Sequence, residues 1–372
     1  MRILAIYPGL NPVFDEVSHA LPPLVRSGCQ VLVLTTKLSD LKSTEQAAAF
    51  EHFQGVGIHR LYANPAELHA NPVALLSASE QLAVDFKPDL IFLNSTHSLP
   101  LGRRLAVRLR VPSILRMESY DPLSYIRRRF YAGIPLIGKA LGPVGWRYLA
   151  SRNSALMVND PADLARLSRI SLRHTPTYYA AHCAQQPEGL TLAAQRDRDE
   201  MIYVGSLTRH KNCAVWLKTV PLLFEKTPLK RFTVVGRGAE MPVVDALRKR
   251  FGKHIHHIPG VTRVEALQRI SAAWFAYTES STGWGFLCDA WSTHTPVLCP
   301  RSTFCIVPGW SGLMPRDDPS LVASVRRLYE DPSYYEGLQD GGAMRYRSEH
   351  TAEVVGRQYL QIFREVVSLG RA

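Results

Sequence analysis

The chain has 372 residues, 46% of them hydrophobic and 20% charged, a length and composition that allow two globular cores rather than one. Its formal net charge of +12 attracts polyanions, whether nucleic acid, anionic lipid or a phosphorylated substrate, without choosing among them. The sequence has neither an export signal at its start nor an uninterrupted apolar stretch of about 18 to 20 residues. We therefore expect a cytoplasmic protein without a transmembrane helix.

Apolar, β-branched runs alternate with helical stretches through the first half of the chain. This alternation predicts a parallel sheet whose strands are buried on both faces. The predicted elements are strands at 3–7, 31–35, 89–93, 112–116 and 155–158, and helices at 17–27, at 101–109 and from Asp160-Pro161 onward.

A polar stretch at 184–200 separates this half from a second series of the same kind, so we place the domain boundary there. The second series has predicted strands at 201–204, 231–235 and 254–258 and predicted helices at 213–224 and 241–251. Apolar residues recur at helical spacing over 351–369, which predicts a C-terminal helix with one packed face. The predicted divisions are a first domain at 1–186, a linker at 187–200, a second domain at 201–345 and a final segment at 346–372.

Signatures of cofactors and metals are missing from the sequence. The first strand-to-helix turn, Pro8-Gly9-Leu10-Asn11-Pro12, lacks the G-x-G-x-x-G spacing of dinucleotide sites, which disfavours a nicotinamide or flavin oxidoreductase. The six cysteines are scattered without a CxxC pair, so we expect reduced thiols in the core. His256 and His257 lie in a predicted strand that points them to opposite faces. We predict no metal site and no cofactor.

Two kinds of glycine turn in the second half point to phosphate binding. Gly205 and Lys211 follow a strand and precede a helix, where backbone N–H groups and the lysine ammonium could offset the charge of a diphosphate leaving group. An ordinary surface lysine is the alternative. Gly236 and Gly238 end the next strand, and a tight turn alone explains glycine there.

The segment 277–298 has the pattern strand, glycine loop, helix, turn and strand. Gly283 and Gly285 would let backbone amides approach a phosphate at the start of the helix. Asp289 lies further along the same helix and is expected to face inward, where it could accept hydrogen bonds from ribose hydroxyls. A purely structural loop is the alternative.

In order and spacing, these motifs resemble the retaining glycosyltransferases of family 4, also called group 1. The matching features are the Gly-x-Leu-x-x-x-Lys turn at 205–211, the Gly-x-Gly at 236–238 and the Gly-Val at 260–261, followed by Gly-Trp-Gly, Asp-Ala and Pro-Val. The resemblance implies the GT-B fold, in which two Rossmann-like α/β domains face each other across a cleft, and a C-terminal helix that returns to the N-terminal domain.

The resemblance also implies roles for individual residues on the donor side. Lys211 would bind the donor diphosphate, the loop with Val261 would lie near the base, and Asp289 would hold the ribose. The full predicted donor set is Gly205, Ser206, Arg209, Lys211, Gly236, Gly238, Val261, Thr282, Gly283, Trp284, Gly285, Phe286 and Asp289.

The chain departs from the family pattern at two donor positions. Thr282 stands where the family has the first Glu of its E-x7-E motif, and the loop to Asp289 is one residue short. Ser206 stands where an Arg commonly pairs with the diphosphate. Glu279 and Arg209 lie close in sequence and are the candidate replacements.

On the acceptor side, Glu118 occupies the place of a His in the family. A carboxylate there could orient or deprotonate an acceptor hydroxyl; pairing with Arg116 is the structural alternative. Gly9, Asn11 and Asn94 complete the predicted acceptor set, and the catalytic candidates are Lys211, Glu118 and Glu279.

Cationic and aromatic residues are interleaved over 125–148. Such a segment can lie on an anionic bilayer surface, although a hairpin that covers the cleft also accounts for it. No nucleic-acid-binding signature accompanies the net charge, so we predict no nucleic-acid partner.

The sequence therefore predicts a retaining transferase that moves a sugar from a nucleotide diphosphate sugar to a glycan or polyprenyl-linked acceptor, in cell-envelope or exopolysaccharide synthesis. Its alternative is a catalytically degenerate GT-B protein that binds a nucleotide or glycan as a non-enzymatic partner.

Overall fold

Parallel strands form the centre of both structural units of the chain. The computed structural model describes residues 1–10, 18–37, 48–62, 72–117, 144–170, 175–280, 284–300 and 305–370. One unit comprises Met1–Ala181 together with Ala352–Ala372, and the other comprises His182–Thr351. The predicted α/β class with parallel sheets is confirmed.

The first unit contains an eight-stranded sheet with the order β3-β4-β2-β1-β5-β6-β7-β8. Neighbouring strands are parallel except in the hairpin of β3 and β4. The central strands are apolar because both of their faces are buried. The bounds are β1 Arg2–Ile6, β2 Gln30–Thr36, β3 Phe50–Phe53, β4 Val56–Tyr62, β5 Leu90–Asn94, β6 Ser113–Met117, β7 Ala155–Val158 and β8 Thr177–Tyr179.

Helices cover this sheet and follow its strands in the chain. Proline occupies the first turn of α1 and of α3, where its missing N–H group costs no hydrogen bond. The bounds are α1 Leu21–Arg26, α2 Pro72–Phe86, α3 Leu99–Leu109, α4 144–150 and α5 Pro161–Leu167.

The second unit contains a five-stranded, fully parallel sheet with the order β11-β10-β9-β12-β13. Its strands are β9 Asp197–Val204, β10 Arg231–Val235, β11 Ile255–Ile258, β12 Ala273–Tyr277 and β13 Val297–Leu298. Its helices are α6 Trp216–Lys226, α7 Met241–Phe251, α8 Arg263–Ala272, α9 Trp284–Ser292, α10 Asp318–Glu330 and α11 Pro332–Arg345.

The C-terminal helix, α12 Ala352–Leu369, packs on the first unit. The ring centroids of Tyr359 and Phe363 lie 5.7 and 5.3 Å from that of Phe92 on β5. Gly356 adjoins Pro23 of α1 so closely that a Cβ atom would collide with it. The predicted return of this helix to the N-terminal domain is confirmed. Among the described helices, none is both long and apolar enough to cross a bilayer.

Arg196, just before β9, contacts two other chain segments at the edge of the second sheet where the parallel strands begin. Its guanidinium donates hydrogen bonds of 2.7 to 3.1 Å. The acceptors are the carbonyl oxygens of Ser271, Ala273, Thr293 and His294 and the hydroxyl of Thr295. One side chain therefore joins the end of α8 to the turn that follows α9.

Replacing Arg196 by methionine is expected to lower the free energy of unfolding by about 2 kcal/mol, because buried carbonyl groups would lose their donor. Urea unfolding followed by circular dichroism measures this change. Arg248→Met on α7, where the side chain is 54% exposed, is the matched control and should change stability by less than about 0.5 kcal/mol. Equal unfolding midpoints for the two variants would contradict the assignment.

Candidate functional site

The loops after β9, β10, β11 and β12 lie together because parallel strands end at the same edge of a sheet. In open α/β sheets, ligands bind outside these carboxyl ends. Apart from Thr282 and Gly283, which the structure does not describe, the donor-side residues predicted from the sequence lie on these four loops or on the helices that follow them.

Gly236 and Gly238, in the loop after β10, are required because the backbone of the loop after β9 approaches them closely. Gly236 has φ +146° and Gly238 has φ +155°, and a Cβ atom on them would overlap the carbonyl oxygens of Gly205 and Leu207, respectively. The N–H group of Leu207 donates to the carbonyl of Arg237 at 2.8 Å. Only glycine allows the two loops to interlock in this way.

His257 adds a side-chain contact to this interlocked pair of loops. Its Nε2 atom donates to the carbonyl oxygen of Gly236 at 2.9 Å, while His256 next to it is exposed. Within the described residues, no group of three or more His, Cys, Asp or Glu side chains could hold a metal ion.

Lys211 ends a short 3-10 turn, Arg209–Lys211, that follows β9. Its N–H group donates to the carbonyl of Thr208 at 2.8 Å, and its side chain is half-buried. Asn212, in the left-handed conformation at φ +57°, then redirects the chain toward α6. Burial raises the pKa of the neighbouring Cys213 thiol to about 11, and the positive charge of Lys211 opposes that rise.

The two other donor candidates on this turn differ in exposure and contacts. Arg209 is exposed to solvent. Ser206 is half-buried, and its carbonyl oxygen accepts a hydrogen bond of 3.0 Å from the Tyr203 hydroxyl. The turn after β9 thus contains a half-buried lysine and an exposed arginine.

Glu279 is a buried carboxylate just beyond the end of β12, with only 2% of its surface exposed. The Tyr277 hydroxyl donates a hydrogen bond to its Oε1 atom. Burial, followed by the charge of Glu279, raises the pKa of Tyr277 well above its usual value, so this hydroxyl keeps its proton and acts as a donor. The sequence reading named Glu279 but missed Tyr277.

Asp289 lies on α9 and is 6% exposed. Both of its carboxylate oxygens accept hydrogen bonds from the guanidinium of Arg263, the first residue of α8. The side chains of Arg263 and Asp289 are 13% and 9% exposed. Thr262 caps α8 by accepting a 3.2 Å hydrogen bond from the N–H group of Glu265, and Val261 precedes it, half-buried.

Sequence reasoning missed Arg263, although a signal for it exists. A cation in the first turn of a helix opposes the helix dipole, so an Arg at that position is stabilised when an anionic partner lies close to it. The structure provides that partner in Asp289.

The first turn of α9 places Trp284 and Phe286 in aromatic clusters. The Trp284 ring stacks on His182 with centroids 5.6 Å apart and lies 5.3 Å from His350. The Phe286 ring lies 5.4 Å from Tyr203. Gly285 between them is half-buried, while Thr282 and Gly283 lie outside the described residues.

The acceptor candidates belong to the first unit and are only partly described. Gly9 follows β1 and is buried. Asn94 ends β5, and its Oδ1 atom accepts a 2.9 Å hydrogen bond from Arg116 of β6. Asn11, Glu118 and the segment 125–143 lie outside the described residues.

Several solved structures are similar to almost the whole chain. Sucrose-phosphate synthase from Thermosynechococcus elongatus has 18% identity and a TM-score of 0.78, with 99% of each chain covered. HepE from Anabaena, in complex with UDP-glucose, has 14% identity and a TM-score of 0.69, with 98% of this chain and 100% of that chain covered. The UDP-forming α,α-trehalose-phosphate synthase from Burkholderia xenovorans, in complex with glucose-6-phosphate, has 11% identity and a TM-score of 0.69, with 98% and 99% covered.

A family model agrees with this structural likeness. Residues 9–180 match the model described as a glycosyl transferase 4-like domain. The likeness to these solved structures shows the GT-B fold. No curated protein sequence matches this chain at a significant level. The family model matches residues in the first half of the chain, whereas the motifs that resemble family 4 lie mainly in the second half.

Proposed function

We propose that this protein is a glycosyltransferase that moves a sugar, with retention at the anomeric carbon, from a nucleotide diphosphate sugar to a glycan or polyprenyl-linked acceptor in cell-envelope or exopolysaccharide synthesis. The observation that carries the proposal is the pair of interlocked glycine loops beside Lys211 at the carboxyl edge of the second sheet. The UDP-glucose bound by the similar HepE supports a nucleotide sugar as the donor.

The proposed donor chemistry centres on the diphosphate. As the bond from the anomeric carbon to the phosphate oxygen breaks, negative charge develops on that oxygen. The half-buried Lys211, with backbone N–H groups in the first turn of α9, stabilises that charge. The buried carboxylate of Glu279 contacts the donor sugar, and Asp289 holds the ribose.

The acceptor hydroxyl forms the new bond to the anomeric carbon and gives up its proton. Glu118 is the proposed carboxylate that orients this hydroxyl or accepts the proton.

Peripheral contact with an anionic bilayer through 125–148 would bring a polyprenyl-linked acceptor to the enzyme. In the described part of this segment, Val144 is 56% and Tyr148 is 47% exposed, which supports such contact.

Calorimetric titration with UDP and GDP, followed by donor hydrolysis with the corresponding sugars, tests the proposal. We expect one of the two nucleotides to bind with a dissociation constant in the micromolar range and its sugar derivative to be hydrolysed slowly without an acceptor. Absence of binding by both nucleotides and by their sugars would refute the donor assignment.

The degenerate GT-B protein is the second candidate. It is favoured by Thr282, which stands in place of the first Glu of the E-x7-E motif, and by the uncharged Ser206 on the phosphate turn. The same experiment separates the two candidates, because a degenerate protein would bind the nucleotide and leave every donor sugar intact.

A further inference from the structure

The ion pair of Arg263 and Asp289 joins α8 and α9, the two helices of the second unit beside which the donor nucleoside would lie. Arg263 begins α8 directly after the loop that follows β11, and Asp289 lies on α9, which begins after the loop that follows β12. The guanidinium uses both Nη atoms on the two carboxylate oxygens. This fork-to-fork arrangement fixes the plane of the carboxylate as well as its position.

Stability gives little reason for such a pair. Removing two charges from water offsets most of the attraction between them, so an apolar pair of similar volume is often as stable. The arginine also lies in the first turn of α8, where the helix dipole opposes a positive charge. The ion pair does, however, fix the direction of the Asp289 carboxylate, which an apolar pair could not do.

The paired carboxylate still has hydrogen-bonding capacity. Each oxygen has two acceptor sites, and a bidentate guanidinium occupies one on each oxygen. The Tyr346 hydroxyl nearby donates to the carbonyl of Ala184 at 2.8 Å. Burial, together with the nearby Asp289 carboxylate, raises the pKa of Tyr346, so this donor stays protonated and directed at Ala184.

We infer that Arg263 is a positioning residue that holds the Asp289 carboxylate for the ribose hydroxyls of the donor. It thereby sets the preference for ribonucleoside over deoxyribonucleoside diphosphates. The inference rests on the proposed function, since it needs a nucleoside diphosphate in this unit. Arg263 lies outside the predicted donor set, and the preference for ribose over deoxyribose follows from its contact with Asp289.

The test is a comparison of affinities for the nucleoside diphosphate that binds the wild-type protein, UDP or GDP, and for its 2′-deoxy and 3′-deoxy forms. In the wild-type protein, loss of the contacted hydroxyl is expected to weaken binding about tenfold, the usual effect of a hydrogen bond to a charged group. In Arg263→Gln, the ratio between ribo and deoxy ligands should fall below about threefold, while affinity for the deoxy ligand changes little.

Three further variants keep the test decisive. Asp289→Asn should lose the same preference, and Arg263→Lys, which keeps the charge but not the fork, should keep only part of it. Arg269→Gln, on the same helix in an ion pair with Glu265 that is 41% and 42% exposed, is the matched control and should keep the tenfold ratio. Thermal melting shows whether each variant is folded.

A tenfold ratio that persists in both Arg263→Gln and Arg263→Lys, with equal losses for all ligands, would overturn the inference and leave a purely structural ion pair. Failure of the wild-type protein to bind any nucleoside diphosphate would instead overturn the proposed function on which the inference rests. The two failures are therefore distinguishable.

Discussion

Alanine in place of Lys211 is expected to slow donor hydrolysis and sugar transfer about 100-fold, the typical effect of removing one group that stabilises developing charge. The side chain is half-buried beside the interlocked glycine loops, where charge is screened less than at an open surface. Because the ammonium would contact the diphosphate before and during bond cleavage, affinity for the nucleoside diphosphate should also fall. Steady-state kinetics and calorimetric titration measure the two effects separately.

Lys218→Ala is the matched control for this prediction. Lys218 lies on α6, seven positions further along the chain, with 72% of its side chain exposed and an exposed ion pair with Asp318. Its removal should leave kcat and nucleotide affinity within about twofold, since exposed ion pairs contribute little. Kinetics of Lys211→Ala that match those of Lys218→Ala would rule out the phosphate role of Lys211.

A second large effect is expected from Gly236→Ala. A methyl group at this position would overlap the carbonyl oxygen of Gly205 and would sit on a backbone at φ +146°. Strain and overlap together should lower the free energy of unfolding by about 4 kcal/mol, or force the two loops apart. Chemical unfolding measures the first outcome, and loss of nucleoside diphosphate binding at low temperature reveals the second.

Gly337→Ala provides the same substitution without the crowding. Gly337 lies inside α11, and a Cβ atom there would have no neighbour within 4 Å. Alanine should therefore stabilise the protein by about 0.5 to 1 kcal/mol through its higher helix propensity. If Gly236→Ala behaved like Gly337→Ala in both assays, the loops would not be interlocked as described.

The sheets were predictable because their strands are buried on both faces and are therefore continuous apolar runs. The runs at 3–7 and 231–235 correspond to β1 and β10, and the pattern predicted for 277–298 corresponds to β12, α9 and β13. The hairpin of β3 and β4 was missed. Its turn, Gln54-Gly55, has positive φ at both residues, as a two-residue hairpin loop requires, and a polar residue before glycine was the available signal.

The side-chain contacts of the candidate site were less predictable. Glycine at 236 and 238 follows from local sequence, but its reason lies in Gly205 and Leu207 on another loop. The pairing of Arg263 with Asp289 depends on how α8 packs against α9. The stacking of Trp284 on His182 and its proximity to His350 join residues that are distant in sequence. Spacing along one chain contains no information on such contacts.

The placement of α12 has a consequence for synthesis on the ribosome. The core around Phe92 includes Tyr359 and Phe363, so the first unit cannot be completed until α12 has emerged. The second unit is one continuous stretch, His182–Thr351, and all of it emerges earlier. The half translated first is thus finished last, and a chain that ended at Thr351 would contain every residue of the second unit but only part of the core of the first.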